Sequence, residues 1–173
     1  WRRAARNSAV HASSRRDGVD HKEVDGAVMT VIAPFGWWHI PAATAIEVEL
    51  FEIQPWSEAQ FWSELAADDR MLFAALVDDE LAGYADLRIA ADEAEILNIA
   101  VQTSRQKQGI GTSLLMSMMA AARDAQVSKL LLEVRVGNDD AIALYERNGF
   151  RTVGQRPNYY ALGVHALLME RHV

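Results

Sequence analysis

Two glycines one residue apart, Gly109 and Gly111, stand between a short apolar run, Ala94–Val101, and a longer segment whose apolar positions recur with helical spacing. No other feature constrains the fold of this chain as strongly. A near-continuous apolar run of that length reads as a strand covered on both faces, hence central in a sheet. Beyond it, Ile110, Leu114, Met118 and Ala122 fall on one side of a helix running from Gly109 to about Ala125. Glycine in a helix costs about 1 kcal/mol relative to alanine, so a plain strand-to-helix turn does not account for two of them in one turn. Without side chains there, the unpartnered N–H groups of the first turn and the positive end of the helix dipole are open to a diphosphate. Thr112 adds a hydroxyl beside them. The three-glycine dinucleotide fingerprint and the Gly-Lys-Ser/Thr phosphate loop are both missing.

The other elements place this junction in a sheet. Val28–Ala33 is a short β-branched strand ending at Pro34. Pro41 opens a helix with Ala42, Ile46, Leu50 and Ile53 on one face, and Pro55 stops it. Ser57 with Gln60 is a capping box, so a second helix covers about Glu58–Ala67. Met71–Val77 and Leu81–Ile89 form a hairpin across Asp78-Asp79-Glu80. After the glycine helix, Lys129–Val136 is a strand, and Asn138 caps a helix with Asp139 and Asp140 in its first turn. Gly149 ends that helix in a left-handed C-cap position. Phe150–Gly154 and Val164–Met169 are the last strands, joined by a loop from Arg156 to Gly163. The order predicts an α/β domain with a mixed, mostly antiparallel central sheet flanked by helices. It spans residues 29–173, and residues 1–28, which lack either periodicity, are expected to be a disordered leader.

Composition narrows the function. There is no cysteine among the 173 residues, which removes disulfide scaffolds, zinc knuckles and thiol nucleophiles. The net charge is −7; residues 1–25 carry a local +2 and the remainder −9. An acidic body argues against nucleic acid as a direct ligand and favours a cationic partner. No apolar stretch is long enough for a bilayer, so no membrane partner is expected and the reading is a cytoplasmic protein. The five His are scattered without partners at metal-ligand spacing, so no metal is expected, and the helix methionines read as core.

The segment Gln106-Lys107-Gln108-Gly109-Ile110-Gly111 after the strand resembles the acetyl-coenzyme A site of the GCN5-related N-acetyltransferase family. Within that family, several segments look like the RimI-type ribosomal-protein alanine N-acetyltransferases: Ile99-Ala100-Val101, Leu132-Glu133-Val134-Arg135, Asn138, Ala141–Glu146 and Gly149-Phe150. Pro55-Trp56-Ser57 and Asn158-Tyr159-Tyr160 extend the likeness, which covers about Thr30–Arg171. It implies acetyl-coenzyme A as cosubstrate, no metal, and the N-terminus of a ribosomal protein as acceptor, the alanine of small-subunit protein eighteen. For the site it implies coenzyme contacts from Ile99, Ala100, Val101, Lys107, Gln108, Gly109, Ile110, Gly111, Thr112 and Asn138. Ile99–Val101 would act through backbone groups, pairing with the pantetheine arm as an added strand does, and one N–H would face the developing oxyanion. Lys107 departs from the family, which usually carries an arginine there.

Glu133 stands among apolar neighbours in a core strand, where a carboxylate loses hydration and gains basicity. Pairing with Arg135 on the same strand face is the structural alternative. The resemblance assigns Glu133 the role of base towards the incoming amine and Tyr145 that of general acid towards the departing thiolate; taken alone, Tyr145 reads equally as a core tyrosine. Trp56, Tyr159 and Tyr160 are expected to line an acceptor channel between the first helix pair and the last hairpin, or else to seal the domain. Acetylation of a lysine or a small amine, and coenzyme binding without catalysis, remain alternatives.

Overall fold

The computed structural model describes residues 29–173; the expected leader, residues 1–28, lies outside the described residues. Strands β1 (Thr30–Pro34), β2 (Arg70–Val77), β3 (Glu80–Ala90), β4 (Glu93–Val101), β5 (Lys129–Arg135), β6 (Arg151–Ala161) and β7 (Val164–His172) form one sheet in the order β1-β2-β3-β4-β5-β7-β6. All neighbours are antiparallel except β4 and β5, whose parallel pairing is bridged by α3 (Ile110–Asp124). The other helices are α1 (Ile40–Leu50), α2 (Glu58–Ala66) and α4 (Asp139–Arg147). The expected mixed, mostly antiparallel sheet is therefore what forms.

Both faces of the sheet are covered. On one face α3 buries Ile110, Leu114, Leu115, Met118 and Ala122 against Leu87, Ile96, Leu130, Leu132 and Val134. Each large aliphatic side chain removed from water there contributes about 1.5–3 kcal/mol. On the other face α1 and α2 place Ile40, Ala43, Ile46 and Phe61 on Leu72, Ala74, Tyr84 and Ala100. The local signals behave as read: Ser57 and Gln60 close a capping box, Asn138 Oδ1 accepts from Ala141 N at 3.4 Å, and Gly149 has φ +85°.

Two readings need correction, and a third feature goes beyond the sequence reading. The first helix ends at Leu50, not near Pro55; Phe51 is already extended, because the chain must leave the helix early for Trp56 to return to it. The last hairpin has no long loop: β6 runs to Ala161, and Asn158–Tyr160 belong to the strand. They look loop-like because the ladder is interrupted, with Arg156 opposite Ala166 but Ala161 opposite Val164, and because Asn158 adopts φ +55°. The further feature lies in β4. Asn98 pairs with Asp86 but Ile96 pairs with Leu87, so Leu97 is an extra residue, a β-bulge. Before it Ala94 and Ile96 face α3; after it Ile99 and Val101 face α3 while Asn98 and Ala100 turn to α1.

Asp86, on β3, is fully buried, and among the described residues neither carboxylate oxygen meets a hydrogen-bond donor. Its polar neighbour Glu64 is another acceptor, held by Arg70 at 2.5 Å. Burial and then the Glu64 charge push Asp86 up to about 7. The folded state thus binds this proton more tightly than the unfolded chain, so its stabilisation is complete below pH 3.8 and is lost as pH rises to about 7. Asp86→Asn supplies a permanent donor towards Glu64. In urea denaturation the variant is expected to exceed wild type at pH 8, by at most ~4 kcal/mol, with the advantage vanishing towards pH 4. Equal stabilities at both pH values would disprove the account.

Candidate active site

The site forms where β4 and β5 part. Their parallel pairing runs from Glu93 opposite Lys129 to Ile96 opposite Leu132, then stops, although β4 continues to Val101 and β5 to Arg135. The bulge at Leu97 begins where the pairing ends. Backbone groups of Ile99 and Val101 on the β5 side therefore have no neighbouring strand, which is what an extended ligand arm requires, although Val101 O accepts from Gln106 Nε2 at 3.1 Å; the backbone of Ala100 pairs with β3. Their side chains are packed in the two cores, leaving only the backbone for a ligand.

At the open end of β4 a short 3-10 turn, Thr103–Arg105, leads to Gly109, which caps α3 at φ +86°. That left-handed angle accounts for glycine at 109. It does not account for Gly111, where an added Cβ meets only Leu144 Cδ2 at 3.6 Å and Val101 Cγ2 at 3.9 Å. The polypeptide itself tolerates a methyl group there, and a ligand lying against the helix end explains the bare backbone. Ile110 is buried and contributes only its amide, while Thr112 is half-buried in the same turn. Gln108 turns back to donate to Ser104 O at 3.2 Å, and exposed Lys107 sits 3.7 Å from Asp140. Asn138 is exposed at the start of α4. The residues present thus fit the diphosphate and arm of a coenzyme, chiefly through backbone.

Glu133 projects from β5 on the face opposite Leu132 and Val134, which pack under α3. Its side chain is 14% exposed, and its cation partner is Arg156 of β6, at 3.0 Å, rather than Arg135. Arg156 carries no local signal as a partner of Glu133, since nothing in the sequence ties positions 133 and 156. The carboxylate is thus not isolated among apolar groups as expected. The guanidinium also lies 5.6 Å from the ring centre of Tyr159, which meets Tyr160 edge to face at 5.0 Å. Interaction with the Glu133 carboxylate, and then burial, push Tyr159 up to about 12. Burial raises Tyr160, with the Glu133 charge adding to it.

Tyr145 is 8% exposed on α4, its ring edge-on to Phe150 at 5.7 Å. Burial, reinforced by Tyr160, lifts its hydroxyl well above the ordinary phenol range. The phenol therefore keeps its proton at neutral pH and is available as a donor. So the structure brings Glu133, Tyr145, Tyr159 and Tyr160 near one another, with Arg156 added. Trp56 takes a different place: its ring packs on Phe61 at 5.5 Å and Tyr84 at 6.5 Å, and its amide donates to Glu47. Among the described residues, no three His, Cys, Asp or Glu side chains are grouped to hold a metal ion, and no helix is long and apolar enough to cross a membrane.

The glycine argument gives opposite signs for stability and binding. Gly111→Ala should raise the melting temperature, since alanine favours a helix by about 0.5–1 kcal/mol, while weakening acetyl-coenzyme A binding measured by calorimetry. Undiminished affinity in the stabilised variant would remove the cradle.

Comparison with known proteins agrees with this geometry. Residues 38–150 match the family model described as Acetyltransferase (GNAT) family. The chain is 36% identical over 132 residues to the [ribosomal protein bS18]-alanine N-acetyltransferase of Escherichia coli, covering 76% of this chain and 88% of that protein. It is 38% identical over 132 residues to the N-alpha-acetyltransferase RimI of Mycobacterium tuberculosis, covering 73% and 82%. The crystal structure of the ribosomal-protein-S18-alanine N-acetyltransferase from Escherichia coli superposes with a TM-score of 0.77 at 34% identity, covering 84% of this chain and 94% of that one. A parted central strand pair, a glycine-started helix and these relatives lead to one assignment: the chain belongs to the GNAT family of acetyltransferases, acyltransferases that use acetyl-coenzyme A.

Proposed function

We propose that this protein acetylates the α-amine of a protein N-terminus, namely the N-terminal alanine of ribosomal protein bS18, with Glu133 as base and Tyr145 as acid. The observation that carries the reading is the Glu133 carboxylate, held by Arg156 and flanked by Tyr159 and Tyr160 at the open end of the β4–β5 gap. Bound at the α3 end and along Ile99–Val101, acetyl-coenzyme A supplies an activated acyl group. Glu133 accepts the proton of the amine, directly or through one water. Tyr145 Oη, kept protonated by burial, holds the proton that the departing sulfur takes. A backbone N–H of the unpaired β4 segment faces the oxyanion. Holding both reactants in one gap makes the transfer effectively intramolecular.

The acceptor side favours a polypeptide. Tyr159 and Tyr160 are rigid aromatic groups on a bulged strand. Such groups pack along an extended backbone at low entropic cost. The net negative body attracts basic N-terminal segments. This reading also places the protein in the cytoplasm, with its substrate.

The test is a radiometric transfer assay with N-terminal peptides, lysine peptides, polyamines and aminoglycosides. An alanine-starting peptide with the bS18 sequence is expected to have the highest kcat/KM; preference for a lysine or a small amine would replace the acceptor assignment. Glu133→Gln is expected to lower turnover by about 10²–10⁴ while coenzyme affinity persists. Tyr160→Ala should raise the KM for peptide and leave that for acetyl-coenzyme A unchanged; a rise in both would make the tyrosines packing groups.

A further inference from the structure

A second group of buried polar side chains takes no part in the chemistry above. Glu47 of α1 is 1% exposed. Its Oε2 accepts from Trp56 N at 2.6 Å, and its Oε1 accepts from Asn98 Nδ2 at 3.0 Å and from the Tyr84 hydroxyl. Asn98 Nδ2 also donates to the Tyr84 oxygen at 2.9 Å. Donor and acceptor counting then fixes the asparagine. Glu47 offers only acceptors, and the Tyr84 hydrogen already points at it, so both neighbours of the amide require the nitrogen. The nitrogen faces both acceptors, and the side-chain carbonyl Oδ1 is turned away from them. Asn98 is half-buried, so that carbonyl is not sealed in the core.

Its position gives the carbonyl a use. The bulge at Leu97 turns Asn98 to the α1 face, past the last β4–β5 pair, and Glu133 projects from β5 on that same face. A primary amine attacking in the gap carries two N–H groups. One faces the base, and the other needs an acceptor once water is excluded.

We propose that Asn98 Oδ1 accepts the second N–H of the acceptor amine, and that Glu47 and Tyr84 are positioning residues that hold the amide in the orientation presenting its oxygen. The inference rests on the reading of Glu133 as the base. It implies selection for primary amines: an N-methylated terminus, with one N–H in its neutral form, has none left for Asn98.

The experiment compares wild type, Asn98→Ala and Tyr84→Phe on the acceptor that wild type uses best and on its N-methylated counterpart. Melting temperature and acetyl-coenzyme A affinity are measured alongside. Wild type should prefer the primary amine, and Asn98→Ala should reduce that preference by on the order of tenfold, the effect of one hydrogen bond, with coenzyme affinity unchanged. Tyr84→Phe keeps the ring packing and removes one partner of Nδ2, so it should lower the preference in smaller measure. Combined with Asn98→Ala it should cause no further loss of preference, because it acts through the missing amide. An undiminished preference in Asn98→Ala, or losses that multiply in the double variant, would overturn the inference. A wrong peptide assignment appears separately, as a different best acceptor for wild type.

Discussion

The extra residue at Leu97 breaks the two-residue period of β4, and the site is arranged around that break. A strand in register presents the same parity to the same face along its whole length. Here even-numbered residues face α3 before the bulge, and odd-numbered ones face it after. The switch sends Asn98 and Ala100 towards α1 while Ile99 and Val101 anchor the other core. It also coincides with the end of the pairing between β4 and β5, leaving backbone groups free in the middle of a sheet. Unpaired groups there are tolerable only if water or a ligand satisfies them. A bulge beside a parallel strand pair thereby opens a slot of the kind an extended ligand arm needs.

Polar groups on the α1 face are held under tighter terms than those at the coenzyme end. Glu47 accepts three hydrogen bonds, one from each of the elements it touches: the Trp56 turn, β3 and β4. A buried carboxylate left short of donors would be strongly destabilising, so this network fixes how α1 sits on the sheet. Asp86, directly opposite Asn98 in the ladder, lacks such donors and responds by holding its proton up to about pH 7. Two carboxylates on one sheet face thus have different fates, decided by whether hydrogen-bond donors reach them.

Much of the fold was legible from local chemistry. The Ser57–Gln60 box, the Asn138 cap, the Gly149 terminus and the hairpin across Asp78 and Asp79 each depend on residues within one turn of each other. The Gly109-Ile110-Gly111 step was legible for the same reason, and the alternation in β5 correctly put Glu133 opposite the core residues Leu132 and Val134. Less readable were the early end of α1 at Leu50 and the continuation of β6 through Tyr160, both set by distant partners. Pro157 and Asn158 have turn chemistry, yet the strand absorbs them as an irregularity.

The sequence by itself determined the helices, the central strand and the glycine-started helix end, because each is encoded by spacing along one element, while Glu133 and Tyr145 stood out only through the family resemblance. Only the tertiary structure decided that Arg156 rather than Arg135 pairs with Glu133, that Tyr159 leans on that pair, and that Glu47, Tyr84 and Asn98 converge from three elements. The physical reason is sequence separation. Glu133 and Arg156 stand on different strands, and Glu47 and Asn98 are 51 residues apart. Such pairs form only after the sheet has set its register, and the extra residue at Leu97 shifts that register without leaving any mark in the local hydrophobic pattern.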